Sequence, residues 1–279
     1  MRRAVINLRG IWPGKRTLVV MVLATILSTL AIRATDRFFT ASVKEASDFT
    51  GCPPDMVFVT SENGGFCIDK YENSPSPECT YSNPKSQTET RVNLDKSSCK
   101  PVSVPGAIPW RNISQNQAAL ACAKVGKRLP TNKEWFQAAL GTPDISSGWT
   151  PEDCNVNSSG PRPTGSATKC VSFAGVYDMI GNVWEWVGET VADGIYENRT
   201  LPEQGFVWGV DENGMVYETN FDLSNPEYNH DFFWVRHEGV RGICRGGYWD
   251  NKSDAGIYAA YLVVPPAFSG IGVGFRCVK

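Results

Sequence analysis

Two carboxylates on either side of a glycine turn form the clearest candidate for binding a cation. Asp178 and Glu185 enclose the residues Met-Ile-Gly-Asn-Val-Trp, in which Gly181 marks the turn. Hard cations such as Ca²⁺ take several oxygen ligands, and the carbonyls of a turn can add to two carboxylates. The alternative is that both carboxylates accept hydrogen bonds from amides of the loop. The pattern therefore predicts either a calcium site or a hydrogen-bonded turn.

The composition disfavours both catalysis and nucleic-acid binding. The only histidines are His230 and His237, and we expect both to be ordinary loop residues. No Ser/His/Asp or Cys/His grouping is visible, and Tyr258 and Tyr261 have no evident partner base. With 27 basic and 29 acidic residues, the chain lacks the positive charge that attracts nucleic acid.

Nine cysteines indicate an exported, disulfide-bonded domain. All of them follow residue 51, and dispersed cysteines in an exported domain usually pair. Cys79 with Cys99, and Cys154 with Cys170, each enclose a polar loop that a local disulfide would hold together. No Cys-x-x-Cys occurs, so a zinc site is not expected. The odd count leaves one cysteine free or paired with another molecule.

The first fifty residues predict a membrane anchor. Residues 17–32 are uncharged and apolar, and the five charged residues before them are all basic. The positive-inside rule then makes residues 1–16 a cytoplasmic N-terminus and 17–33 a single transmembrane signal anchor. Residues 34–51 are polar and predict a stalk, which leaves 52–279 as an extracellular domain at the cell membrane. The alternative is a cleaved signal peptide and a secreted protein.

Two capping boxes predict two helices. In a capping box a Ser or Thr side chain accepts from an amide of the first turn, while a Gln or Glu three residues later reaches back to the cap. Ser114 with Gln117 opens a helix over about 115–125, and Thr131 with Glu134 opens one that runs to about residue 140. Each helix is followed by a glycine that can adopt the left-handed conformation of a helix end, Gly126 and Gly141.

Little other regular structure is expected. Residues 56–60 and 66–70 are strand candidates around the turn Asn63-Gly64-Gly65. Residues 74–101 are rich in Ser, Pro and Asn and predict an insertion held by a disulfide. Beyond residue 141 we expect short strands and long loops.

Four motifs carry a family resemblance. They are GKRLPTNKEW at 126–135, GNVWEW at 181–186, RGG at 245–247 and GFRC at 274–277. In this order they resemble the formylglycine-generating enzyme or sulfatase-modifying factor domain, over about residues 56–279. The resemblance implies an α+β, C-type lectin-like fold that is rich in loops and has two helices and short strands.

The resemblance also implies a ligand set and a disulfide. The matching stretch of the family binds calcium, which implies the side chains of Asp178 and Glu185 with the carbonyls of Gly181 and Val183 as ligands of a structural ion. A disulfide of the family joins the first helix to the C-terminus. The matching cysteines in this chain are Cys122 and Cys277.

The resemblance stops at the catalytic cysteines. Formylglycine-generating enzymes carry a cysteine pair shortly after RGG that binds copper as thiolates. The corresponding stretch, YWDNKSDAGIYAAYLV at 248–263, has no cysteine, and Asp or Asn cannot replace soft thiolates for copper(I). Related iron-dependent enzymes need a histidine cluster, which two isolated histidines cannot supply. We therefore expect neither copper nor the associated oxidation.

The tail at 245–279 resembles instead the variable proteins of diversity-generating retroelements, whose C-terminal region is rewritten at Asn codons by mutation of adenines. It has an RGG-x-W-x-N start, an Ala-Gly pair near its middle and a GFR end. The residue types at nine matching positions can all arise from an Asn codon by changing adenines alone. These positions, which we predict to bind ligand, are Tyr248, Asp250, Asp254, Tyr261, Val263, Val264, Phe268, Gly270 and Gly272.

The sequence thus predicts a surface-displayed, non-enzymatic protein that binds a protein or glycan on another cell or a virus. Exposed aromatic side chains give rigid contact area at small entropic cost. The alternatives are an ordinary diverged ligand loop, an oxidoreductase of the sulfatase-modifying type or a diverged enzyme of that family, and a structural surface component.

Overall fold

The computed structural model describes residues 51–62, 64–222 and 226–279. The predicted cytoplasmic segment, the signal anchor and all but the last residue of the predicted stalk lie outside these ranges. Within them, no helix combines the length and the apolar character that crossing a membrane requires.

Three α-helices and thirteen short strands form the regular structure of the described residues, together with two single 3₁₀ turns. The helices are α1 (Gln87–Asp95), α2 (Gln115–Ala123) and α3 (Asn132–Ala139), and the 3₁₀ turns are Pro226–Tyr228 and Lys252–Asp254. The strands are β1 (Met56–Val59), β2 (Phe66–Asp69), β3 (Ser74–Pro75), β4 (Pro101–Val102), β5 (Trp184–Ala192), β6 (Ile195–Tyr196), β7 (Arg199–Thr200), β8 (Gly205–Val210), β9 (Val216–Asn220), β10 (Phe232–Val235), β11 (Val240–Arg245), β12 (Ala260–Leu262) and β13 (Val273–Gly274). This is the helix-poor, strand-rich architecture that the sequence predicts.

Both predicted capping boxes are present. Ser114 accepts the Gln117 amide at 3.3 Å and donates its own N–H to the Gln117 side chain at 3.1 Å. Thr131 and Glu134 make the same reciprocal pair at the start of α3. Both helices end slightly earlier than predicted, before a glycine with positive φ. Local chemistry therefore sets the bounds of both helices.

Helix α1 is a correction to the prediction of two helices. It lies inside the segment that the sequence predicts to be a Ser/Pro/Asn-rich insertion, and Ser86 caps it by accepting the Glu89 amide at 3.2 Å. Two of its three buried residues are polar, Thr90 and Asn93, so it carries no apolar stripe. Asn93 is satisfied by the backbone of Tyr81, which it both accepts from and donates to. A helix that buries hydrogen-bonded polar side chains has no periodic hydrophobic signal.

The tail supplies strands to the central sheet. Among the described residues this sheet has the strand order β7-β6-β5-β11-β12-β10-β8-β9, with β13 beside β5. β12 lies antiparallel to β11 and parallel to β10, and β13 lies parallel to β5. The backbone between these strands is irregular apart from one 3₁₀ turn. The tail is thus fixed at separate points along its length.

Four disulfides join eight of the nine cysteines. They are Cys52–Cys67, Cys79–Cys99, Cys122–Cys277 and Cys154–Cys170. Two of these are the local pairs that the polar loops predict, and Cys122–Cys277 is the pair that the resemblance implies. The latter spans 155 residues and bonds α2 to the end of the chain. The remaining cysteine, Cys244, is free and buried.

A buried ion pair fixes the end of the chain. Arg276 donates from Nε to Oε2 of Glu185 at 2.7 Å and from a second nitrogen to Oε1 at 2.5 Å, and both side chains are at most 1% exposed. Arg276 also donates to the carbonyls of Asp69 and Tyr177. Trp135 of α3 adds a third donor to Glu185 at 2.7 Å. One guanidinium therefore connects β2, the loop before β5, β5 itself and the C-terminus.

A second buried cluster holds the middle of the tail. Asp231 accepts the Tyr258 amide at 2.7 Å, and Asp144 accepts the Ile257 amide. One oxygen of each, Oδ2 of Asp144 and Oδ1 of Asp231, is buried and has no hydrogen-bond partner, so a proton between the two carboxyl groups would satisfy both. Burial raises the pKa of Asp144 to about 7 and that of Asp231 well above its usual range. The nearest cation is Arg245, which donates to the Ile257 carbonyl at 2.9 Å.

Replacing Arg276 by Met should destabilise the protein by about 3–5 kcal/mol, because Glu185 would remain buried without its cation. The matched control is Arg128→Met, since Arg128 forms a similar two-pronged pair with Glu134 but is 55% exposed. That change should cost less than about 1 kcal/mol. Denaturant unfolding with the disulfides intact measures both. Equal losses of unfolding free energy in the two variants would show that the buried Arg276–Glu185 pair stabilises the protein no more than the exposed Arg128–Glu134 pair.

Raising the pH should weaken the Asp144–Asp231 contact. Because the pKa of Asp144 is raised on folding, its contribution is complete below about pH 4 and is lost as the pH rises through about 7. We expect a loss on the order of 2 kcal/mol for the wild type between pH 5 and 8, and a smaller loss for Asp144→Asn, whose amide can donate to Asp231 without a titrating proton. Asp250→Asn, an exposed residue of the same tail, is the control. Parallel pH profiles for all three proteins would contradict the shared proton.

Candidate functional site

The nine predicted tail positions lie almost entirely at the surface. Eight of them are half-buried or exposed, and only Gly272 is buried. Many of the residues between them are buried, although others, such as Lys252, Pro265 and Ile271, are exposed. Trp249, Ile257, Ala259, Leu262 and Phe275 are all at most 8% exposed. The tail therefore consists of a buried frame and a set of accessible positions, although its sequence shows no regular period.

Five of the nine positions line one pocket of about 320 Å³. They are Tyr248, Tyr261, Phe268, Gly270 and Gly272. The other lining residues, which the sequence did not identify as ligand-binding, are Trp184, Trp234, Asn251, Ile271 and Val273. The remaining predicted positions, Asp250, Asp254, Val263 and Val264, do not line it. The structure therefore brings about half of the predicted site together and adds two tryptophans from outside the tail.

Aromatic rings of three strands line the pocket, two of them from outside the tail. Trp184 of β5 contacts Trp234 of β10 edge to face, with ring centroids 5.5 Å apart, and Tyr261 of β12 lies 5.6 Å from Trp184. Trp234 and Tyr261 are register partners in the parallel β10–β12 pair. Cross-strand neighbours on one face of a sheet are close enough for their rings to touch. The sheet register therefore places these rings side by side.

Two glycines let aromatic rings lie against the backbone at the rim. A Cβ at Gly272 would come within 2.8 Å of the Tyr248 ring, and one at Gly270 within 2.9 Å of the Phe268 ring. These distances are shorter than normal carbon contacts. The size of the side chain at 270 or 272 is therefore coupled to the ring at 268 or 248.

The rim loop at 265–272 is held by its main chain. Its carbonyls accept hydrogen bonds from residues outside the tail at 2.8–3.3 Å, with side chains of the loop uninvolved. The donor and acceptor pairs are Gln115 to Pro266, Asn112 to Gly270, the Arg111 side chain to Ile271, and Trp184 to Gly272. Because these bonds use backbone acceptors, the loop keeps its path when its side chains change.

The pocket carries no charged side chain among its lining residues. Its polar side-chain groups are the hydroxyls of Tyr248 and Tyr261 and the side chain of Asn251, whose Oδ1 already accepts the Tyr248 amide at 2.9 Å. Burial raises the pKa of Tyr261, so its hydroxyl stays protonated at neutral pH. The surface is thus aromatic and neutral, and suits contact better than catalysis.

The residues predicted to bind calcium make other contacts. Both oxygens of Glu185 are engaged by the buried donors of Arg276 and Trp135. A calcium ion bound to Glu185 would compete with three hydrogen bonds. It would also lie beside the buried guanidinium of Arg276, which would repel it. The contacts of Glu185 therefore do not fit a direct calcium ligand.

The other end of this turn is also hydrogen-bonded. Asp178 accepts the Gly165 amide at 2.6 Å, and burial raises the pKa of Asp178 to about 6. The Val183 amide donates to Glu72 at 3.2 Å, and the Gly181 amide donates to the carbonyl of Gly246. Within the described ranges, no group of three or more His, Cys, Asp and Glu side chains is placed to hold a metal ion. The side chain of Asp178 and the amides of Gly181 and Val183 are therefore all hydrogen-bonded within the protein.

The candidate catalytic residues are dispersed. His237 lies 3.2 Å from the carbonyl of Pro202 and 3.6 Å from Glu203 at the surface. Cys244, the free thiol just before RGG, is fully buried, and burial raises its pKa well above the usual range. A buried, protonated thiol is a poor nucleophile and a poor metal ligand.

Comparison with known proteins finds several kinds of protein that are similar to this chain. The chain is 30% identical over 157 residues to hercynine oxygenase of Mycobacterium tuberculosis, covering 52% of this chain and 31% of that one. It is 29% identical over 119 residues to inactive C-alpha-formylglycine-generating enzyme 2 of Mus musculus, covering 36% of this chain and 38% of that one. It thus aligns with roughly a third of each relative's length. Among solved structures it is similar to the major tropism determinant P3c variant, with 21% identity, a TM-score of 0.43, and coverage of 82% of this chain and 53% of that one.

The family itself is shown by a match that covers most of the chain. The model of the sulfatase-modifying factor enzyme 1-like domain matches residues 55–279, which include all four sequence motifs and the whole pocket. This confirms the family that the motifs indicate and its C-type lectin-like fold. The chain belongs to the sulfatase-modifying factor enzyme 1-like domain family.

Proposed function

We propose that this protein binds a protein or glycan ligand through its tail and performs no chemistry on it. The observation that carries the proposal is the pocket, because five of nine positions chosen from the sequence alone line one cavity. Residues scattered over 25 positions of an irregular tail would not meet in this way unless the frame between them were built to present them. The ligand belongs to another cell or a virus.

The division between frame and surface supports diversification of the tail. Five of the nine positions, Asp250, Asp254, Val263, Phe268 and Gly270, are neither buried nor packed against the buried core, whereas Tyr248, Tyr261 and Val264 pack against it and Gly272 is buried. Frame residues such as Arg245 and Arg276 are fully buried and hydrogen-bonded. A tail of this design can vary its contacts and keep its fold.

Display at the cell surface is part of the proposal. Four disulfides suit an oxidising compartment, and the apolar run at 17–32 would anchor the domain with its N-terminus in the cytoplasm. Secretion after cleavage of that segment is the alternative. Neither version involves nucleic acid.

An oxidoreductase of the sulfatase-modifying type is the competing function, and relatives of this chain include a hercynine oxygenase. Its chemistry has no evident place here, since residues 248–263 hold no cysteine and the thiol of Cys244 is buried. A neighbouring gene for a sulfatase with a CxPxR motif would favour this alternative. A neighbouring reverse transcriptase, with a near-copy of the tail that has Asn codons at the nine positions, would favour ligand binding.

Deep sequencing of the tail in a natural population tests the diversification. We expect substitutions to concentrate at the nine positions, while frame residues such as Trp249, Gly274 and Arg276 stay constant, because the frame is buried and the nine positions are accessible. The codons upstream of residue 245 serve as the internal control. An invariant tail, or variation scattered evenly over frame and surface, would contradict the proposal.

Calcium binding at the turn from Asp178 to Glu185 remains a prediction from the resemblance, and the contacts of Glu185 weigh against it. We expect the melting temperature to differ by less than about 1 °C between millimolar Ca²⁺ and EGTA, since a bound structural ion would shift it by several degrees. Asp178→Asn is the diagnostic variant, because Asn tolerates the positive φ of this position. A calcium-dependent rise that this variant abolishes would restore the site.

A further inference from the structure

Two tryptophans of the pocket lie outside the positions proposed to vary. Trp184 belongs to β5 and Trp234 to β10, both before the tail begins at residue 245. Tyr248, Tyr261 and Phe268 add rings at the rim and side, all from the set of nine. Rewriting the tail therefore changes the rim and leaves the two tryptophans in place. The two tryptophans therefore contribute the same aromatic surface in every version of the tail, while Tyr261 beside them can change.

We propose that this pocket receives an uncharged aromatic side chain projecting from a partner protein. The inference rests on the proposed ligand-binding function and narrows it to one class of ligand. Aromatic rings pair favourably in edge-to-face and offset geometries, and Trp184 and Trp234 already form such a pair at 5.5 Å. A third ring entering between them and Phe268 would extend that cluster. Aromatic anchors buried in a pocket are the residues that dominate protein interfaces.

The polar groups of the pocket are too few for a sugar. Each hydroxyl of a sugar ring loses its hydrogen bonds to water on entering a pocket and needs a replacement. The lining offers one side-chain amide, Asn251, and its Oδ1 is already used by the Tyr248 amide. Two tyrosine hydroxyls remain, Tyr248 and Tyr261. An aromatic side chain needs at most one polar partner and fits this surface better.

The lack of charge disfavours an anion and leaves only the faces of the rings to hold a cation. No carboxylate lines the pocket to balance a cation, and no Lys or Arg side chain lines it to bind an anion. The nearest guanidinium, Arg111, lies over the Trp249 ring and donates to the Ile271 carbonyl. A neutral ring enters this environment without loss of a counter-ion.

The size of the site and its surroundings indicate a protein rather than a free small molecule. The volume of about 320 Å³ is at the lower end of the roughly 300–1,000 Å³ typical of ligand pockets, which suits a single side chain. Four further predicted positions are accessible outside the pocket, Asp250, Asp254, Val263 and Val264. A ligand confined to the pocket would not touch them, whereas a protein surface around an inserted ring would.

Saturation-transfer NMR on the full-length chain in detergent tests this directly. Three probes represent the three ligand classes: N-acetyl-L-tryptophanamide for an aromatic side chain, methyl β-D-glucopyranoside for a glycan and tetramethylammonium for a cation. We expect the tryptophan amide to bind with a Kd on the order of 1 mM, as a fragment of this size should, and the other two not to saturate.

Two substitutions in the pocket test whether the tryptophan amide binds there. Trp234→Ala outside the tail and Phe268→Ala at the rim should each weaken the tryptophan amide by about tenfold or more. Phe221→Ala is the matched control, because Phe221 is a 79% exposed phenylalanine outside the pocket, and should change binding by less than about twofold. Melting curves of each variant show whether the fold is retained.

Two other results of the NMR experiment would overturn the inference that the pocket receives an aromatic side chain. Binding of the glucoside or of tetramethylammonium with the same dependence on Trp234 and Phe268 would make the ligand a glycan or a cation, and would leave the proposed function standing. Saturation of none of the three probes, or equal binding by all variants, would remove the pocket as an aromatic site. The proposed function fails separately, when sequencing finds an invariant tail.

Discussion

The ion pair between Arg276 and Glu185 is the contact on which the position of the tail depends. Arg276 satisfies both carboxylate oxygens of Glu185 and two backbone carbonyls, while Trp135 completes the shell of Glu185. Loss of either member of this buried ion pair is strongly destabilising, because it leaves the other charge buried without a partner. The neighbouring Cys122–Cys277 bond ties the same end of the chain to α2. The C-terminus is thus fixed in direction by the guanidinium and in position by the disulfide.

Tolerance of the intervening tail follows from this arrangement. The tail starts at Arg245, which is fully buried and donates to Asn132 and to the carbonyls of Gly214 and Ile257. Between Arg245 and Arg276 the backbone is held by β12, β13 and the hydrogen bonds of the rim loop, none of which uses a side chain of the nine positions. The backbone of the tail is therefore held largely by residues other than the nine positions that the proposed function assigns to recognition. That separation is the condition under which a chain can change its contacts without changing its fold.

What the sequence predicts and what it does not can be traced to the range of the interactions. The capping boxes at Ser114 and Thr131 act over three residues, so their helices could be predicted nearly to the residue. The family motifs carried the fold and the pairing of Cys122 with Cys277. Helix α1 was missed because it buries Thr90 and Asn93 in hydrogen bonds, which leave no hydrophobic period.

The pocket is likewise hard to predict, because it depends on contacts between residues that are far apart in the sequence. Its tail positions could be chosen by their match to codon logic, but Trp234 is brought to Tyr261 only by the parallel register of β10 and β12. Glu185 shows this most clearly. Its spacing from Asp178 predicts either a calcium ligand or a hydrogen-bonded carboxylate, and the structure shows a contact with Arg276, 91 residues away in the chain. The spacing along the sequence marks Glu185 as a carboxylate with a polar role. Its partner depends on the tertiary structure, which brings Arg276 next to it.

The stretch in which the resemblance places the copper-binding cysteines contributes three of the residues that line the pocket. Residues 248–263 align with the segment that holds the catalytic thiolates, and here they supply Tyr248, Asn251 and Tyr261 to the lining. A reactive thiolate pair must be reachable by substrate, so the fold already presents this segment to solvent in an enzyme. Under the proposed function, the aromatic rings that this segment carries in place of cysteines supply contacts to a ligand, while Trp249, Phe275 and Arg276 remain buried in the frame. The same fold can then hold a binding surface where the resemblance implies a reactive one.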